Sequence, residues 1–296
     1  MILTTTNQAK TKTKAAAKAA IDTQMLLLFL LVALSIGSEQ YSFLSSQQIF
    51  VKAYDNGLGR TPPMGWNSWN FFGCDKINED LIKGVADSLV DSGLAALGYN
   101  HLNLDDCWQI KRNASGYIVE DSTKFPSGMA SLSAYVRGKG LYFGLYSDSG
   151  LYTCQRRPGG LGHEVKDAEM YVQWQIDYLK YDNCYATGMG GGLQQRYKTM
   201  RDALNATATK HNSKPIFYSL CEWGVGDPAK WAGAVGNSWR TTGDIQRSWG
   251  SILANLDKND QWHSYAGPGG VRALSLMYAC IHAHDFDAIV YAKASE

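Results

Sequence analysis

The sequence predicts an α/β fold in which a parallel sheet is arranged as in a (β/α)8 barrel. Short apolar segments alternate with stretches of helical periodicity from Pro63 onward, which is the pattern of consecutive βα units. No GxGxxG motif follows the first predicted strand, which argues against a dinucleotide-binding fold. Of the folds built from repeated βα units, the (β/α)8 barrel therefore fits the sequence better.

Six strands are predicted, each followed by a helical segment. In chain order they are MGWNSWN, YNHLNLDD, YFGLYSD, DYLKYDN, PIFYSLCE and SWRTTGD, and they end near Asn70, Asp106, Asp148, Asn183, Glu222 and Asp244. The carboxyl ends of barrel strands lie on one face, so side chains at these ends should surround a single mouth. The predicted mouth contains Trp66, Asp105, Asp106, Tyr146, Asp148, Lys180, Asp182, Glu222, Trp223, Arg240 and Asp244.

The N-terminal segment differs from the rest of the chain. Several lysines precede the apolar run MLLLFLLVALSIG, residues 25 to 37, which is typical of a signal peptide with cleavage between about Gly37 and Gln48. We therefore expect residues 1–48 to be a signal peptide and leader, no stable membrane span after cleavage, and a location outside the cell, in the cell wall or in the vacuole. The alternative is an uncleaved signal anchor.

Composition and cysteine content argue against a nucleic-acid-binding protein and against a zinc site. The formal net charge is +1 and no long charge run lies outside the N-terminus, so nothing indicates a nucleic-acid partner. Six cysteines without a CxxC pair, in an oxidising compartment, favour disulfides over zinc ligands. Asn113 and Asn205 begin N-x-S/T sequons and are predicted glycosylation sites.

The stretch LKYDNC places unusual chemistry at the end of one strand. Lys180 and Asp182 share a strand face, with Cys184 just beyond them. Paired carboxylates that flank an acetal are the machinery of glycoside hydrolysis, and indole rings can support a sugar ring. The alternative makes Asp105, Asp106, Asp148 and Asp182 ligands for Mg²⁺ or Mn²⁺, although a lysine beside such a site would repel the ion.

Six motifs in order carry a resemblance to a known family. They are GLGRTPPMGWNSWN, HLNLDDCW, GLYSDSG, LKYDNC, SLCEWG and SWRTTGDI. From about Asn56 to Gly270 the chain resembles the α-galactosidases of glycoside hydrolase family 27, most closely the plant enzymes. The resemblance implies a retaining hydrolase that removes terminal non-reducing α-D-galactose by double displacement and needs no cofactor or metal. Implied substrates are α-galactoside oligosaccharides, galactomannan or galactolipid.

The resemblance also assigns roles to individual residues. It makes Asp182 the nucleophile and Asp244 the acid/base. Lys180 is expected to keep Asp182 ionised. Asp244 is expected to have less compensating charge nearby, so that it can hold a proton. It implies disulfides that join Cys74 to Cys107 and Cys154 to Cys184. Bulky Glu222 and Trp223 favour galactose over N-acetylgalactosamine. The implied galactose-binding residues are Trp66, Asp105, Asp106, Tyr146, Lys180, Cys221, Glu222, Trp223 and Arg240.

The sequence departs from the family after SYAGPGG, residues 264 to 270. The family continues with further strands and a C-terminal β-sandwich, whereas residues 271–296 match no family motif. We therefore expect an incomplete barrel domain over residues 49–270, with about six βα units, followed by a divergent tail. Alternatives to a working hydrolase are a catalytically impaired galactose-binding or misfolded product, an α-N-acetylgalactosaminidase and a metal-dependent barrel enzyme. The natural aglycone and the oligomeric state stay open.

Overall fold

A six-stranded parallel sheet, curled into an incomplete barrel, forms the centre of the molecule. The computed structural model describes residues 54–188, 190–246, 248–265 and 267. The sheet strands lie side by side in chain order, and they are β1 (Met64–Asn67), β2 (Tyr99–Leu104), β5 (Tyr142–Asp148), β6 (Tyr178–Asp182), β7 (Phe217–Cys221) and β8 (Ser238–Trp239). The six predicted strands and their parallel order are confirmed. The predicted signal peptide and the tail lie outside the described residues.

Helices follow five of the six sheet strands, as expected of βα units, whereas only 3₁₀ turns lie between β7 and β8. They are α1 (Trp69–Phe72), α2 (Glu79–Asp91), α3 (Gly128–Gly138), α4 (Glu164–Gln173), α5 (Leu193–Lys210) and α6 (Trp249–Asp260), with 3₁₀ turns at Ala95–Leu97, Pro228–Lys230, Ala232–Ala234 and His263–Tyr265. The side chain of Asn78 caps α2 by accepting the Leu81 N–H, and two acidic residues in the first turn complement the helix dipole. Among the described helices, none is long and apolar enough to cross a membrane.

The two faces of the sheet have different compositions. Leu145, Leu179 and Leu220 belong to the main hydrophobic core and are almost completely buried. At alternate positions on the other face, Tyr178 stacks on Phe217 with ring centroids 5.1 Å apart. Farther along β6 on that face come Lys180 and Asp182, so the polar groups collect toward the carboxyl ends of the strands.

Two features of the sheet region differ from the sequence prediction. An antiparallel hairpin of β3 (Gln109–Arg112) and β4 (Ile118–Glu120) was not predicted, because its strands mix charged and apolar residues. Arg112 anchors it to α4 through a bidentate pair with Asp167, at 2.6 and 2.7 Å. The predicted strand ending at Asp244 is wrong beyond Trp239: only Ser238 and Trp239 pair with β7, and the polar segment 240–246 forms a loop.

Candidate active site

Strand register brings predicted site residues of neighbouring strands together. Asp182 on β6 lies opposite Asp148 on β5 and opposite Cys221 on β7. Two residues earlier on these strands, Tyr146 lies opposite Lys180. The strand ends therefore place two carboxylates, a phenol, an amine and a thiol around one point of the mouth.

The Asp182 carboxylate is buried and held by three donors. Its Oδ2 accepts a hydrogen bond from the Tyr146 hydroxyl at 3.0 Å. Its Oδ1 accepts from the Asn183 backbone N–H at 2.9 Å and from the Trp223 indole N–H at 2.8 Å. Burial and the surrounding carboxylates raise the pKa of Tyr146 well above its usual range, so the phenol stays a donor. These contacts fix the orientation of the carboxylate.

Lys180 makes its salt bridge with Asp105. The Lys180 Nζ lies 2.9 Å from Asp105 Oδ2, which also accepts from the Asn67 amide at 2.9 Å. Burial opposes the lysine charge, but the nearby Asp105, and more weakly Asp182, raise the pKa of Lys180 well above its usual value. The ammonium also lies 5.1 Å from the Tyr146 ring centroid. The expectation that Lys180 keeps Asp182 ionised stays a prediction.

Asp106 and Asp148 organise the loops that follow their strands. Asp106 accepts from the Thr153 hydroxyl and from the Gln155 N–H, at 2.9 and 3.0 Å. Asp148 accepts from the backbone N–H groups of residues 150 and 184, at 2.7 and 2.9 Å. Burial raises the pKa of Asp106 to about 6, and burial together with Asp182 raises that of Asp148 to about 8. Thr153 and Asn67 were not predicted, although Asn67 lies within a motif that was.

The segment after β7 is tightly packed. Trp223 has a positive φ of 60°, which costs a non-glycine residue about 1 to 2 kcal/mol. A Cβ on Gly224 would lie 2.4 Å from the Thr241 carbonyl oxygen, so only glycine allows this approach. Trp223 is 37% exposed, whereas Cys221 and Glu222 are buried.

Glu222 is completely enclosed, so its predicted contact with a sugar stays a prediction. Among the described residues, neither carboxylate oxygen has a hydrogen bond of good geometry, although the backbone N–H groups of residues 222 and 224 are close. Burial and Asp182 raise the pKa of Glu222 well above its usual value, against the opposing effect of Arg240. Trp66 is likewise 1% exposed and packs on Phe72 at 5.9 Å between ring centroids.

Asp244 has a charge partner, which corrects the expectation that it is little compensated. Its Oδ1 lies 2.7 Å from Arg240 Nη1, and its side chain is 74% exposed. Arg240 also donates to the Cys221 sulfur at 3.4 Å and to the Thr242 carbonyl at 3.0 Å. Arg240 thus links the Asp244 loop to the end of β7.

Both disulfides implied by the resemblance are present. Cys74 and Cys107 are joined with Cα atoms 5.3 Å apart, and Cys154 and Cys184 with Cα atoms 5.1 Å apart. Within the described part of the chain, the ligand atoms of Asp148, Asp182 and this second disulfide lie within 4.8 Å of one another. Because the two sulfurs are bonded together, only two carboxylates of that group are available to a cation.

The two predicted glycosylation sites have different surroundings. Asn113 is exposed in the β3–β4 turn, where its side-chain oxygen accepts hydrogen bonds from the backbone N–H groups of residues 115 and 117. Asn205 lies within α5 and accepts a hydrogen bond from the Tyr54 hydroxyl at 2.6 Å, and Thr207 of its sequon is buried. Modification of either residue stays a prediction.

Comparison with known proteins decides the family. The Alpha galactosidase A family model (Melibiase_2) matches residues 61–277. The chain belongs to this family. It is 52% identical over 221 residues to a rice alpha-galactosidase, covering 74% of this chain and 51% of the rice protein. It is 56% identical over 217 residues to Alpha-galactosidase 3 of Arabidopsis thaliana, covering 73% of this chain and 48% of that protein.

Solved structures of the alpha-galactosidase family agree. The alpha-galactosidase of Saccharomyces cerevisiae superposes with a TM-score of 0.69 at 40% identity, over 74% of this chain and 52% of the yeast chain. Its structure with raffinose matches equally well, with a TM-score of 0.69 at 39% identity over 73% of this chain. The chain spans about half the length of the curated relatives it matches. The incomplete barrel described above is the part shared with these enzymes.

Proposed function

We propose that the chain carries the catalytic centre of a retaining α-galactosidase that hydrolyses terminal α-D-galactose. The buried Asp182 carboxylate, oriented by three donors at the end of β6, is the observation that supports this function best. Family membership supports the same reaction class.

In the first step, a carboxylate oxygen of Asp182 attacks the anomeric carbon while the bond from that carbon to the leaving oxygen breaks. Asp244 donates its proton to the leaving oxygen. A galactosyl ester on Asp182 results, and the aglycone leaves as an alcohol.

In the second step, water hydrolyses the galactosyl ester. The Asp244 carboxylate takes a proton from the water, whose oxygen forms a bond to the anomeric carbon as the ester bond breaks. Galactose leaves with its original α configuration. The exposure of Asp244 supports this role, because the group must meet both water and the leaving oxygen.

The remaining polar groups at the mouth would bind galactose. Asp105 and Lys180 form a charged pair whose oxygens and ammonium hydrogens suit sugar hydroxyls. The bulky Trp223 beside Asp182 supports a preference for galactose over N-acetylgalactosamine, because an acetamide needs additional space. The structure of the yeast enzyme with raffinose supports α-galactoside oligosaccharides as the substrate class.

We also propose that the chain is exported through the secretory pathway. Two disulfides in the described structure support it, because such bonds persist in oxidising compartments. The apolar run at residues 25 to 37 is the candidate signal.

Covalent trapping tests the proposed nucleophile. The full chain is incubated with a fluorinated α-galactosyl inhibitor that forms the ester but slows its hydrolysis, and the peptides are then analysed by mass spectrometry. We expect the label on the peptide that contains Asp182. Labelling of any other residue, or no label at saturating inhibitor, would reject the assignment.

A further inference from the structure

A cavity lies at the amino ends of the sheet strands, away from the catalytic mouth. We call it the base cavity and define it by Arg60, His101, Tyr142, Asp177, Lys214 and Phe217, which all line it. Tyr142 and Phe217 are the first residues of β5 and β7, whereas the proposed nucleophile Asp182 is the last residue of β6. The volume of the base cavity is about 650 Å³, within the roughly 300 to 1,000 Å³ typical of small-molecule sites.

The inner wall of the base cavity is aromatic. The centroid of the His101 ring lies 4.9 Å from that of Tyr142 and 6.4 Å from that of Phe217. Burial lowers the pKa of His101 to about 4, so this imidazole is uncharged at neutral pH. Tyr142 is 44% exposed, so its ring is accessible at the edge of the wall. Three neighbouring rings without a charge offer a surface on which a flat ring can stack.

A short, anchored segment forms another side of the base cavity. Residues 57–64 all line it, and the rings of Pro62 and Pro63 fix the backbone φ angles within this segment. Asn56, just before it, exchanges two side-chain hydrogen bonds with Asn237, at 3.3 and 2.8 Å. A ligand therefore finds this wall already ordered, which reduces the entropy cost of binding.

The lining of the base cavity carries an excess of positive charge. Arg60 and Lys214 are its cations, and Asp177 is its single anion. The Asp177 carboxylate is compensated by groups that do not line the cavity. It accepts the Phe143 backbone N–H at 3.0 Å and lies 3.7 Å from the Arg137 guanidinium. The net charge that a ligand meets is therefore positive.

Both lining cations can reach a ligand at the entrance. Lys214 is exposed. Arg60 lies 3.8 Å from Asp55, but the two side chains are 65% and 68% exposed, so water and salt screen this pair. Ammonium and guanidinium groups bind carboxylates through charge-assisted hydrogen bonds.

We propose that the base cavity binds a small aromatic carboxylate. Its flat ring lies against His101 and Tyr142, and its carboxylate lies at the entrance beside Lys214 and Arg60. An organic cation would stack equally well but would be repelled by the lining cations. The site is separate from the proposed catalytic centre, so it binds its ligand whether or not the chain hydrolyses galactosides.

Calorimetry with 2-naphthoate tests the proposal on the full chain at pH 7. We expect saturable binding to wild type. Lys214→Gln removes one cation and should weaken binding about tenfold, because a charge-assisted hydrogen bond is lost. Tyr142→Ala removes part of the stacking surface and should weaken binding about fivefold. Far-ultraviolet circular dichroism checks that both variants remain folded.

Lys111→Gln is the matched control, because Lys111 is exposed on β3 and does not line the base cavity. It should bind 2-naphthoate as wild type does. The uncharged analogue 2-naphthylmethanol should bind wild type about tenfold more weakly than 2-naphthoate. This comparison needs no variant, so it tests the proposal even where a substitution disturbs folding.

Three results would overturn the inference. The first is no saturable binding of 2-naphthoate, and the second is equal affinity for 2-naphthylmethanol. The third is competitive inhibition of aryl α-galactoside hydrolysis by 2-naphthoate, which would locate the ligand at the mouth. Failure of the proposed function gives a different result, namely a chain that binds 2-naphthoate but hydrolyses no galactoside.

Discussion

The two proposed catalytic carboxylates lie in contrasting parts of one sheet. Asp182 ends a five-residue strand that pairs with a neighbour on each side, and it is 5% exposed. Asp244 lies in the loop after a two-residue strand, which pairs within the described residues only with β7. Its side chain is 74% exposed and has one charged partner, Arg240.

The contrast matches the demands of the two chemical roles. A nucleophile gains from a fixed position and from donors that orient it before the substrate arrives. A group that gives and then takes a proton must reach both the leaving oxygen and water. The environments therefore support assigning attack to the buried carboxylate and proton transfer to the exposed one.

The largest expected effect comes from removing the buried carboxylate. Asp182→Asn should lower kcat on an aryl α-galactoside by roughly 10³-fold or more, because an amide cannot form the galactosyl ester. Near-ultraviolet circular dichroism should match wild type, which separates lost chemistry from lost structure. Activity that survives the substitution would remove Asp182 from the mechanism.

Asp244→Ala should produce a smaller effect that depends on the leaving group. We expect kcat/KM to fall about 10²-fold for raffinose, whose leaving oxygen needs a proton. The fall should be much smaller for α-galactosyl fluoride, because fluoride leaves without strong acid assistance. Equal losses on the two substrates would show that Asp244 is not the proton donor, and the contrast with Asp182 would then lose its chemical meaning.

The disulfide near Asp182 should contribute strongly to stability. Cys184 lies two residues after Asp182 and bonds to Cys154, closing a loop with a sequence separation of 30. The C154S/C184S variant should lose about 3 to 4 kcal/mol of unfolding free energy in urea titrations, by the chain-entropy estimate. C74S/C107S is a matched control with a separation of 33 and should lose a similar amount. A loss below about 1 kcal/mol for C154S/C184S would contradict the prediction.

The sequence predicted the sheet well because each long strand is an apolar run that ends in acidic or amide residues. The same signal missed the β3–β4 hairpin, whose strands mix charged and apolar residues, and it wrongly extended the last strand beyond Trp239 into a polar loop. Partners across the mouth were harder to predict. The Lys180–Asp105 pair joins residues 75 apart, and its formation depends on strand register and side-chain reach.

Local backbone geometry could not be predicted from the sequence either. Nothing in SLCEWG indicates that Trp223 adopts a positive φ, or that the next residue, Gly224, lies against the backbone of residues 241 and 242. The resemblance names single residues for the mouth, whereas the contacts between them required the fold.

Asp148 should make stability depend on pH near the buried carboxylate. Its pKa is about 8 in the folded protein, above its ordinary value of 3.8, so the folded state holds a proton that the unfolded chain releases between these values. Unfolding free energy therefore falls as pH rises through this window. Asp106 and Asp167, with pKa values of about 6, act mainly below pH 6, whereas Glu222, whose pKa burial raises well above its usual value, adds a contribution of the same sign.

Asp148→Asn should reduce that dependence. Between about pH 6 and 8, we expect the decline of the unfolding free energy with pH to be shallower by about 1 kcal/mol per pH unit than in wild type. Urea titrations at several pH values measure both slopes. Parallel slopes would mean that the Asp148 carboxyl titrates alike in the folded and unfolded chains, and the β5–β6 end would then be less shielded than the geometry indicates.

The smallest effect is expected at the exposed carboxylate. Asp244→Asn should change the unfolding free energy by less than about 1 kcal/mol, because the Asp244 carboxylate is 74% exposed and water and salt screen its attraction to Arg240. Arg240 keeps its contacts with the Cys221 sulfur and the Thr242 carbonyl, so the substitution leaves no isolated buried charge. Urea midpoints of this variant and wild type should nearly coincide. A loss above about 2 kcal/mol would instead make Asp244 a structural tie between its loop and β7, and its exposure could no longer be read as freedom to exchange protons with solvent.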